Sequence, residues 1–85
     1  MNKYIIVFPS NTIKPVLLQR IRTYTHYELC PNVFLVQTAL ETATLLYQQL
    51  IDGISDNERM VVFNITNSGY WGFASKDFWP WLRGE

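Results

Sequence analysis

Two kinds of apolar pattern alternate along this chain. The first is an unbroken run: Tyr4-Ile5-Ile6-Val7-Phe8, stopped by Pro9, and Val33-Phe34-Leu35-Val36, leaving on Gln37-Thr38. Runs that are apolar at consecutive positions suit strands covered on both faces, which places residues 4–8 and 33–37 in the middle of a sheet. The second pattern is helical. Ile13, Leu17, Ile21 and Tyr24 recur at three and four, with Val16 and Leu18 widening the stripe and Lys14, Gln19, Arg20 and Arg22 mostly off it. Thr12 is the expected N-cap, which sets Pro15 in the first turn, where its missing N–H does no harm.

After that helix, residues 25–29 alternate weakly, and a turn at Cys30-Pro31-Asn32 folds them back on residues 33–37 as a hairpin. Beyond Thr38, Ala43, Leu46, Tyr47, Leu50 and Ile54 predict a second helix over residues 41–52, stopped by Gly53. Ser55-Asp56-Asn57-Glu58 reads as a polar turn and residues 60–65 as the next strand. Asn67-Ser68-Gly69 turns the chain towards a short strand at residues 70–73. A final helical turn follows if Asp77 caps it, with Pro80 tolerated at its third position.

Strand, helix, strand, strand, helix, strand is the order of two βαβ crossovers, the split βαβ or ferredoxin-like arrangement. Its first and third strands lie in the middle, and these are the two runs already assigned there by composition. The expected fold class is therefore α+β: a ferredoxin-like βαββαβ domain with an antiparallel sheet, plus a short C-terminal strand and helical turn. The strand at residues 60–65 would lie at the edge beside the first strand, with the aromatic tail as its cover.

Composition narrows the function classes. Residues 1–85 make one small domain, and a chain of this size buries only roughly 60% of its unfolded surface. With 48% hydrophobic and 15% aromatic residues, some of that apolar surface is expected to meet another chain. Seven basic and seven acidic residues cancel, so no overall field draws nucleic acid in. A single cysteine leaves no internal disulfide framework and fits a reducing cytosol. The apolar start is too short for a signal peptide or a membrane span, so a cytoplasmic protein is expected.

Candidate chemistry is sparse. Asp52, Asp56 and Glu58 cluster without the spacing of a calcium loop and read best as a solvated turn. His26 and Cys30 are too few for a structural zinc, and the four glycines, at 53, 69, 72 and 84, form no phosphate loop. No cofactor is expected. Lys14, Arg20 and Arg22 are candidate phosphate contacts along the first helix, although charge there is usually a helix's wet side. Tyr70, Trp71, Phe73, Phe78, Trp79 and Trp81 crowd the last sixteen residues with only Lys76 and Arg83 as basic neighbours. That favours packing or a protein interface over base stacking. With Met60 and Phe63 they form the expected partner or dimer interface.

The segment Asn32-Val33-Phe34-Leu35-Val36-Gln37-Thr38 resembles the third-strand pattern of small Cas2-like proteins, especially their SinR-like branch. Leu50, the acidic turn at residues 56–58, Arg59 before Val61-Val62, Trp71-Gly72 and Trp81-Leu82 extend the resemblance over residues 25–83. It implies a homodimer whose C-terminal segment crosses to the partner's sheet edge, in a bacterial or phage defence setting. Members of that family are metal-dependent nucleases or scaffolds for a partner protein on DNA. The nuclease members carry an aspartate at the end of the first strand. Here that place reads Val7-Phe8-Pro9-Ser10-Asn11, and no carboxylate occurs from Lys3 through Tyr27. Divalent cations such as Mg²⁺ require oxygen ligands of that kind. The expected function is thus non-catalytic: a homodimeric scaffold engaging a larger protein, with nucleic acid as a weakly supported further partner. The alternatives are a nuclease with ligands elsewhere, such as Glu28 or Asp56, and a small phage-type inhibitor of a host complex acting through the aromatic end.

Overall fold

A computed structural model describes residues 1–9, 12–54, 59–66 and 78–83, the side chains of Phe78, Trp79 and Arg83 excepted. Among these residues the fold is α+β: four strands in one antiparallel sheet and three helices. In chain order they are β1 (Asn2–Val7), α1 (Pro15–Arg22), β2 (Thr25–Cys30), β3 (Val33–Thr38), α2 (Ala43–Ile51), β4 (Val61–Asn64) and α3 (Phe78–Arg83).

The sheet order is β2-β3-β1-β4, so the two continuous apolar runs do lie side by side at its centre. Register follows from their pairing, with Ile5 opposite Leu35 on β3 and Phe63 on β4, and Val7 opposite Val33 and Val61. Side chains alternate across the pleat. Tyr4, Ile6, Phe8, Phe34 and Val36 therefore share one face, where they meet Leu17 and Ile21 of α1 and Leu46 and Leu50 of α2. Phe8 and Phe34 pack edge to face there, ring centroids 6.0 Å apart. The Tyr4 ring is fully buried, and its hydroxyl donates to the Leu40 carbonyl at 2.7 Å. Asn2 Nδ2 donates to the same oxygen at 2.9 Å, tying the entry to α2 onto β1.

Helix boundaries differ from the sequence pattern for identifiable reasons. The first helix begins at Pro15 rather than after Thr12, and Lys14 takes the cap position with extended backbone (φ −63°, ψ 135°) and no side-chain cap. A residue before proline is driven out of the helical region by the pyrrolidine ring, so the helix cannot start earlier. In α2 the cap is Thr42, whose hydroxyl accepts from the Leu45 N–H at 3.1 Å, and the helix starts at Ala43 rather than at residue 41. Gly53 stops it as expected. Asp52 (φ −56°, ψ 123°) and Gly53 (φ 76°) form a type II turn closed by the Ile54 N–H on the Ile51 carbonyl at 2.8 Å.

Expectations about strand coverage need correction. In β3, Phe34, Leu35 and Val36 are buried in succession, so both of its faces are covered. In β1, however, Ile5 and Val7 are only half-buried. Met60 precedes β4 and is 7% exposed within the main core, because it faces the helices as Val62 does. It therefore adds little to any outer surface. The short strand expected at residues 70–73 lies outside the described residues. The terminal helical turn is present as α3, with Pro80 at its third position.

Candidate interaction surface

The sheet face opposite α1 and α2 carries Ile5, Val7, Tyr27, Val33, Leu35, Val61 and Phe63, which pair across the strands in register. One part of it is closed by α3. Leu82 is 1% exposed against Leu35, with Ile5, Tyr27, Ile65 and Trp81 packed around the pair. The Tyr27 and Trp81 rings lie 5.6 Å apart at a 46° tilt, and Gln37 Nε2 donates to the Trp81 carbonyl at 3.2 Å. The other part is open. Phe63 is 52% exposed and Val61 42% exposed, on a strand that pairs with β1 on one side.

Of the residues assigned to an interface from sequence, Phe63 is thus on the surface, Trp81 is half-buried within the chain, and Met60 belongs to the core. Tyr70, Trp71 and Phe73 lie outside the described residues, as do the side chains of Phe78 and Trp79. The described part of the tail covers the open sheet face over β2 and β3 rather than the β4 edge. Val61 and Leu82 were absent from that assignment. Alternation would have found Val61, since it shares the pleat side of Phe63 two residues on. Leu82 carried no such signal, because a six-residue helix shows too little periodicity to mark its inner side.

The three candidate phosphate contacts do not form one positive surface. Arg20 is half-buried, and its Nη1 donates to the carbonyls of Leu50 at 2.9 Å and Asp52 at 2.5 Å. These are orphan acceptors at the end of α2, where a cation also complements the helix dipole. Arg20 is therefore an interhelical cap. Arg22 is exposed, and helical geometry turns it by about 200° from Arg20. Lys14 is exposed at the start of α1.

His26 and Cys30 lie on opposite sides of the sheet, opposite Val36 and Val33 respectively, so they cannot act as a pair. His26 Nδ1 is instead 2.9 Å from the Tyr24 carbonyl, and Cys30 is exposed. Glu28 is exposed on β2, on the side of α1 and α2. Asp52 is exposed, whereas Ser10, Asn11, Asp56 and Glu58 lie outside the described residues. Among the described residues no three His, Cys, Asp or Glu side chains are grouped so as to hold a metal ion. No described helix is long and apolar enough to cross a membrane.

A shallow cleft of about 260 Å³ lies between α2 and β4, lined by Ala43, Thr44, Tyr47, Met60, Val61 and Val62. Its described lining residues carry no charge, and its volume falls below the roughly 300–1,000 Å³ of small-molecule sites. The candidate interaction surface is the open apolar side of β4, where Val61 and Phe63 are exposed. Comparisons of the chain with protein-family models, with curated proteins and with solved structures found no match in any of the three.

Proposed function

We propose that this chain has the ferredoxin-like arrangement and acts by binding, as a homodimeric scaffold for a larger protein. The strand order β2-β3-β1-β4 with every neighbour antiparallel supports the first part. The observation that carries the second is Phe63. A large ring half in solvent, beside exposed Val61 on an uncharged strand, is the kind of apolar surface that partners cover. The Cas2-like and SinR-like kinship and the defence setting belong to the same proposal and rest on the sequence resemblance alone, and a cytoplasmic location rests on the single cysteine and the short apolar start.

Light scattering on purified protein over 1–100 µM, an order-of-magnitude range set by transient-interface affinities, tests the dimer. Wild type should weigh two chains, and Phe63→Glu should weigh one while keeping its far-UV circular dichroism. A wild-type protein that stays monomeric throughout that range would overturn the homodimer. A folded Phe63→Glu variant that still pairs would move the contact away from β4.

A further inference from the structure

We draw no further inference here: the strongest candidate, the apolar strip on the open sheet face running from half-buried Val7 to exposed Val61 and Phe63, is a bare surface with nothing in the structure to show what covers it.

Discussion

The two faces of the sheet are built from the same strands and solved in different ways. On one, two amphipathic helices press Leu17, Ile21, Leu46 and Leu50 onto Tyr4, Ile6 and Val36, and all seven side chains are fully shielded from water. On the other, one six-residue helix inserts Leu82 over Leu35 and leaves Phe63 and Val61 in solvent. Helices of eight and nine residues each bring more than two turns to the sheet, whereas six-residue α3 brings fewer than two. The first face should therefore carry most of the folding free energy. The second holds the exposed Phe63 and Val61 on which the proposed pairing depends.

The sharpest test of that division is a pair of leucine truncations. Leu46→Ala should cost about 2–5 kcal/mol, a large share of the roughly 5–10 kcal/mol expected for a domain of this size. Urea unfolding followed by circular dichroism would read it. Leu82→Ala should cost about 1–2 kcal/mol, below the usual leucine range, because α3 can undock while the main core stays closed. Native-state hydrogen exchange should then show lost protection in α3 and unchanged protection in β1. Equal losses from the two substitutions would erase the contrast between the faces.

Smaller effects refine it. Gly53→Ala meets no atom within 4 Å of the added carbon, so its cost is backbone alone at φ 76°. That should be about 1–2 kcal/mol for a left-handed residue carrying a Cβ, visible as a lower urea midpoint with an unchanged slope. Phe63→Ser should leave stability within about 0.5 kcal/mol, as for other surface positions, and change association instead. A large loss of stability from Phe63→Ser would mean that the ring packs within its own chain.

Much of the central architecture was legible because it depends on consecutive positions. Tyr4-Ile5-Ile6-Val7 and Val33-Phe34-Leu35-Val36 announced two inner strands, and Gly53 announced the end of α2. The same rule overstated β1, since an apolar run records capacity for burial and not the size of the element available to cover it. Both helix starts were misplaced by two residues, the first because side-chain periodicity outweighed the restriction that Pro15 puts on Lys14. The link that Arg20 makes between the helices was not legible for a different reason. Its acceptors lie thirty and thirty-two residues away, and no local pattern points to a carbonyl on another helix. On the candidate surface, Phe63 was legible as an apolar residue of an edge strand. The inward turn of Met60 followed only once the register with β1 was known.

The place of β1 between β3 and β4 also has a consequence for how the chain assembles. Tyr4 pairs with Val36 on one flank and with Asn64 on the other, so the earliest strand waits longest for its last neighbour. During synthesis, β1 and the β2–β3 hairpin can associate while β4 is still unmade, leaving one flank of β1 without hydrogen-bonding partners. Closing that distant pair has an entropic cost that local hairpins avoid. Until it closes, the nascent protein exposes the sticky backbone of its own innermost strand.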